Sequence, residues 1–129
     1  MTSQSDSRAI EVVTEYFDAF QSGSFNALVR LFAPDALIRS SSSRYEPVVP
    51  KDFYQRVLGL THDKTVTILS IAIDSAHPNT IVANFSYHWV LTDGSEKDFP
   101  FAFDRFEIDT ESMKIASLVI NLGADVLAK

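Results

Sequence analysis

Asp104 lies in the middle of FPFAFDRFEI, residues 99–108, a stretch rich in phenylalanine. In an apolar pocket a carboxyl resists ionisation, because burial penalises its charged form; it can then donate a hydrogen bond or shuttle a proton near neutral pH. His88 stands in the preceding apolar run, TIVANFSYHWVL. A histidine and an aspartate on one face, a residue or two apart, could serve as general base and orienter. The structural alternatives are plain: Asp104 as a carboxylate satisfied by Ser86 or Asn84, and His88 as a satisfied strand residue.

Other chemistries lack their residues. The chain contains no cysteine, which removes disulfides, a thiolate nucleophile and thiolate metal ligation. His62, Asp63 and His77 have no ligand-like spacing with another donor, and Arg39 reads as a surface arginine, so no metal is expected. No glycine-rich phosphate loop or dinucleotide fingerprint occurs, so no cofactor is expected either. A formal charge of −6 with interspersed signs and no Lys/Arg stripe argues against nucleic acid as a partner. Without a signal-peptide core or an 18-residue apolar run, the expectation is a soluble, cytoplasmic chain with no membrane partner.

The elements that must position these residues follow from periodicity. A length of 129 residues, 46% hydrophobic and 22% charged, is that of one globular domain spanning 1–129, with only residues 1–6 frayed. Over 8–21, Ile10, Val13, Phe17 and Phe20 recur at helical spacing, with Asp6 or Ser7 near the start, Gly23 past the end and Tyr16 on the flank of the stripe. Ser24 can cap a second helix over 25–32, stopped by Ala33-Pro34. ALIRS, 36–40, alternates like a strand, and Pro50 fits the first turn of a third helix, PKDFYQRVLGL, with Phe53, Val57 and Leu58 inward. Four strands follow between Lys64 and Leu122, joined by HPN, TDGSEKD and DTESM. Helices first and strands after is the α+β pattern, with helices on one face of an antiparallel sheet.

Alternation divides the third and fourth of the chain's five strands into two sets of side chains. Pairing Trp89 with Phe101 and Tyr87 with Phe103 would make cross-strand aromatic neighbours, and would set Ser86 opposite Asp104 and His88 opposite Ala102. Arg105 and Glu107 would be costly beneath helices, which points the odd set outward. Tyr87, Trp89, Phe101 and Phe103 would then form an exposed apolar patch suited to a homodimer through the outer sheet face. The opposite arrangement, aromatics in the core and polar residues in water, is left open by the residues alone.

The combination of EYFDAFQSGSFNALVRLFAPDALI, a helix after PKDF and the closing DRFEIDTESMKIASL resembles the nuclear transport factor 2-like superfamily. Within it, the chain is similar to the SnoaL-like group that includes ketosteroid isomerases and polyketide cyclases, over residues 8–122. The resemblance implies a cone: a strongly bent antiparallel sheet wrapped around three N-terminal helices, with a pocket at its open end. It turns the even face toward that pocket. It also places the tyrosine of an oxyanion site at Tyr16, the accompanying acid at Asp104, and Ser40 where ketosteroid isomerases carry their general base.

The functional expectation is a cofactor-free isomerase, cyclase or dehydratase acting on a small apolar carbonyl compound, with Asp104, His88 and Tyr16 as catalytic candidates. The alternatives are a non-catalytic carrier or sensor of a hydrophobic ligand, favoured by Ser40, and a protein-interaction adaptor.

Overall fold

The computed structural model describes residues 4–128, with side chains from Asp6 onward. In chain order it comprises α1 (Gln4–Ser22), α2 (Phe25–Arg30), β1 (Phe32–Ser40), α3 (Pro50–Leu60), β2 (Thr61–Ile73), β3 (Thr80–Leu91), β4 (Glu96–Asp109) and β5 (Lys114–Asn121). This is the expected α+β class. No described helix is long and apolar enough to cross a membrane.

Helix α1 begins earlier than its stripe suggests. Asp6 falls inside the first turn, where a negative charge suits the helix N-terminus, so of the stretch expected to be frayed only residues 1–3 lie outside the described residues. Val13, Tyr16, Phe17 and Phe20 recur at spacings of one to four and are all buried. Gly23, at φ +74°, turns the chain after the helix, a conformation that costs glycine little. Ser24 then caps α2, its Oγ accepting the Ala27 N–H at 3.4 Å.

The second helix stops at Arg30, two residues short of the expected end, and Phe32 already belongs to β1. Pro34 sits within β1 where pairing to β5 lapses, between Phe32 and Leu37, so its missing N–H leaves no ladder bond unmade. Helix α3 spans the expected residues with Pro50 in its first turn. Strand β2 starts at Thr61, so His62 and Asp63 are strand residues.

The five strands are ordered β1-β5-β4-β3-β2. An all-antiparallel sheet was expected; instead β1 runs parallel to β5, while the other pairs are antiparallel. The connection through α3 carries the chain from one edge of the sheet to the other, which frees β1 from the up-and-down rule that the hairpins impose. Helix α1 is pinned to the far edge by one side chain: Gln21 donates to the Lys64 carbonyl at 2.7 Å and accepts the Val66 N–H at 2.8 Å.

The β3–β4 register departs from the expected one, and the departure decides the site. Trp89 pairs with Lys97, His88 with Asp98 and Tyr87 with Phe99; beyond a bulge, Phe85 pairs with Ala102 and Ala83 with Asp104. The turn is tight, with the Gly94 N–H donating to Leu91 at 3.0 Å and the Leu91 N–H to Ser95 at 2.9 Å. Three steps of β4, Phe99 to Ala102, lie against two of β3, Tyr87 to Phe85. The extra residue falls beside Pro100, whose missing N–H suits an unpaired position. Parity therefore switches within β4, and Phe99, Ala102, Asp104 and Phe106 all face the helices.

Candidate functional site

The bulge has a direct consequence for the faces of the hairpin. On β3 the odd residues Phe85, Tyr87 and Trp89 point inward and are buried, which corrects for this strand the expectation that the even face lines the pocket; on β4 the even residues Ala102, Asp104 and Phe106 do face inward. Tyr87 and Trp89 therefore do not belong to an outer patch. Phe101 and Phe103 do stand outside, the former 82% exposed.

Beneath the helices lies a cavity of about 40 Å³. Tyr16, Phe17 and Phe20 of α1 form one wall, Phe53 and Val57 of α3 a second, and Phe85, Tyr87 and Trp89 of β3 a third. Asp104 enters from β4, with Ser40 and Ser42 at the end of β1. Trp89 is fixed at the α3 side, its indole N–H donating to Thr61 Oγ1 at 2.8 Å, while that hydroxyl donates to the Val57 carbonyl at 2.6 Å.

Asp104 is 2% exposed, and its Oδ1 is buried with no hydrogen-bond partner. Neither Ser86 nor Asn84 satisfies it; both lie on the opposite parity of β3, and Asn84 donates instead to Ser70 at 3.0 Å. Desolvation raises the Asp104 carboxyl well above the ordinary carboxylate range. Burial thus favours its neutral form, in which the group can donate as well as accept.

Tyr16 is buried at the centre of the core rather than on a flank. Its hydroxyl meets that of Tyr54, on α3, at 2.6 Å, and its ring lies edge-on to Phe106 and Phe17, each at 5.1 Å between centroids. Burial first, then Tyr54 and Asp104, push the Tyr16 hydroxyl well above its ordinary value. Burial also raises Tyr54, with the bond to Tyr16 acting the other way. Both hydroxyls stay protonated; when Tyr54 donates to Tyr16, the hydrogen of Tyr16 is free for another acceptor.

His88 is not brought to this cavity. It stands on the outer face, 40% exposed at the side chain, with Nε2 at 3.1 Å from Glu96 and Nδ1 at 3.4 Å from Asp98. The expected His88–Asp104 pair is thus separated by the sheet. Ser40 does line the cavity, but its hydroxyl is engaged with that of Ser42 at 2.8 Å and accepts the Ser42 N–H at 3.2 Å. Among the described residues, no three histidine or acidic side chains gather as a metal would require.

Sequence reasoning missed Tyr54 and misplaced Tyr87. Tyr54 follows Pro50 and Phe53 at the spacing of a buried helical stripe, and that pattern could have flagged it. Tyr87 needed the bulge, for which Pro100 was the signal.

No family model matches the chain, and no curated protein does so by sequence. Solved structures do match by shape. SalBIII, an epoxide hydrolase/cyclase-like enzyme of pyran ring formation in the polyether salinomycin, superposes with a TM-score of 0.76 at 16% identity, covering 90% of this chain and 91% of its own. An LEH-like epoxide hydrolase of M. tuberculosis gives 0.71 at 15% identity, over 89% and 82%. A hypothetical protein of Catenulispora acidiphila with a ketosteroid isomerase-like fold, solved with trimethylamine, gives 0.71 at 16%, over 85% and 83%. The fold is thus the nuclear transport factor 2-like fold to which the sequence bears its resemblance.

Proposed function

We propose that this chain is a cofactor-independent enzyme that moves a proton on a small, mostly apolar carbonyl or cyclic ether compound, as an isomerase, cyclase or dehydratase. The observation that carries this reading is Asp104: a buried carboxyl whose Oδ1 has no hydrogen-bond partner, in a mostly apolar cavity. Such a group is costly to keep, by about 1–3 kcal/mol for an unsatisfied buried polar atom, unless something that enters the cavity uses it.

Asp104 would pass its proton to the substrate oxygen as electrons move onto that oxygen. The carboxylate so formed would then take a proton back: in a ring closure from the attacking hydroxyl, and in an isomerisation from carbon, giving an enol that Asp104 reprotonates at a second carbon while the enol hydroxyl returns its proton to the carboxylate, so that no proton is gained or lost. Tyr16, oriented by Tyr54, would donate to the same developing oxyanion. Among the described residues no other carboxylate or histidine lines the cavity, so one residue would serve as both acid and base. His88 has no part in this mechanism. The similar structures named for cyclase and epoxide hydrolase chemistry lend the reading support by analogy of scaffold.

Turnover of a panel of unsaturated ketones and epoxy alcohols tests it. Asp104→Asn keeps a donor but cannot release a proton, and should lower the rate on any substrate by about 10²-fold or more; an unchanged rate would sink the assignment. The Ser40–Ser42 bond favours a second reading, a carrier for an apolar ligand, because Ser40 stands without an adjacent base where the resemblance places one. Tight binding of the same compounds without turnover would select it. In either reading the partner proposed for the outer sheet face is a second copy of the chain, seated on Phe101 and Phe103.

A further inference from the structure

Two buried side-chain polar atoms among the described residues have no hydrogen-bond partner, Asp104 Oδ1 and Tyr87 Oη. Both residues line the same cavity. The mechanism above employs Asp104 and leaves Tyr87 without a task. Tyr87 is 4% exposed and cannot easily turn its hydroxyl to solvent. Its ring is stacked between Trp89 at 5.8 Å and Phe99 at 6.2 Å, and meets Phe20 edge-on at 5.7 Å.

From these placements we infer that Tyr87 is a second ligand-anchoring residue, and that the natural ligand carries two oxygen functions on an apolar frame. One oxygen meets Asp104 and Tyr16; the other, a hydroxyl, carbonyl or ether, meets the hydroxyl of Tyr87. The register separates the two anchors. Asp104 is level with Ala83 on β3, four residues from Tyr87, and both side chains line one cavity with Tyr16. A single oxygen held by Asp104 leaves the Tyr87 hydroxyl without a partner, whereas a ligand with a second oxygen satisfies both. This inference rests on the small-molecule pocket proposed above and extends it to substrate class: a dioxygenated hydrophobe, discriminated from its mono-oxygenated analogue at the end remote from the chemistry. A buried donor without a partner gives strong discrimination of this kind, since the analogue lacking the oxygen leaves the hydroxyl stranded.

Calorimetric titration with two small probes tests it: hydroquinone, with two oxygens, and phenol, with one. The wild-type protein should bind the dihydroxy probe about tenfold more tightly, the scale of one well-placed hydrogen bond. Tyr87→Phe should erase that preference, and Asp104→Leu should weaken both probes. Because Tyr87→Phe deletes an unsatisfied hydroxyl, its melting temperature should equal or exceed that of the wild type, which separates lost recognition from lost folding. Equal binding of both probes by the wild type, or a lowered melting temperature of Tyr87→Phe, overturns the inference and leaves the pocket reading standing, with the hydroxyl satisfied by ordered water only. Failure of both probes to bind overturns the pocket reading and this inference together.

Discussion

The hydroxyls of Tyr16 and Tyr54 meet at 2.6 Å between α1 and α3, with both side chains buried and with Tyr16 sharing a cavity with Asp104. One bond thus ties the two helices together and, when Tyr54 is the donor, leaves the hydroxyl hydrogen of Tyr16 available to the cavity. Tyr16→Phe removes the donor proposed to face the substrate oxygen and should cost about 10²–10³ in kcat. Tyr54→Phe removes only the group that orients it and should cost less. Because each change strands one buried hydroxyl, the double variant should lose less stability than the two single losses added together; strict additivity in a thermal or urea double-mutant cycle would contradict the pairing.

Asp104 makes stability depend on pH in a defined direction. Its folded-state carboxyl is raised above its unfolded value by burial, so the folded chain holds a proton that the unfolded chain releases. The contribution to stability is complete below about pH 3.9, the unfolded value, and declines as pH rises toward the raised folded value. Asp104→Leu should therefore stabilise the protein by about 1–3 kcal/mol near neutral pH, the scale of relieving an unsatisfied buried group, and by less at pH 4. Urea melts at pH 4 and pH 7.5 check this; a variant less stable than wild type at pH 7.5 would show that Asp104 is satisfied.

How much was legible follows from particular residues. The helical stripe of α1, the Pro50 start of α3 and the four late strands are local signals, and the structure keeps them within a few residues. Asp104 and Tyr16 could be placed at one cavity because resemblance supplies the long-range arrangement that periodicity cannot. His88 failed because alternation was carried through β4 without interruption. A single bulge at Pro100 reverses every face beyond it. The turn length was a second source of error: TDGSEKD reads as one polar connection, although Asp93-Gly94 alone is a hairpin turn signal, and Glu96–Asp98 are already strand. The parallel β1–β5 pairing had no signature at all, since it joins the first strand to the last.

The outward position of His88 carries its own expectation. Its hydrogen bond to Glu96, with a further one to Asp98, raises the imidazole above its ordinary value, so an NMR titration should place its midpoint above about 6.5. The stabilisation that the charged form provides is present below the unfolded value and fades as pH rises through the raised folded value. Being at the surface, it should also weaken with added salt. His88→Ala should leave turnover unchanged; a large loss of activity would return His88 to the mechanism and contradict its position outside the cavity.

Phe101 and Phe103 bear on assembly. The sheet turns one side to the helices, and on its other side these two phenylalanines rise from β4, one of them 82% exposed. Their neighbours at the level of Phe103 are Asn84 on β3 and Asn121 on β5, polar residues that can pair with a second copy of themselves. A homodimer through this face would remove the aromatic rings from water, worth about 1.5–3 kcal/mol for each fully buried ring. Phe101→Glu would place one charge against its own symmetry mate across such an interface, a contact far costlier than the same charge on a free surface. Sedimentation equilibrium should accordingly find a dimer for the wild type and a monomer for Phe101→Glu, with the melting of the isolated variant dependent on pH at Asp104 as before. A wild type that sediments as a monomer across micromolar concentrations would remove the second copy from this face.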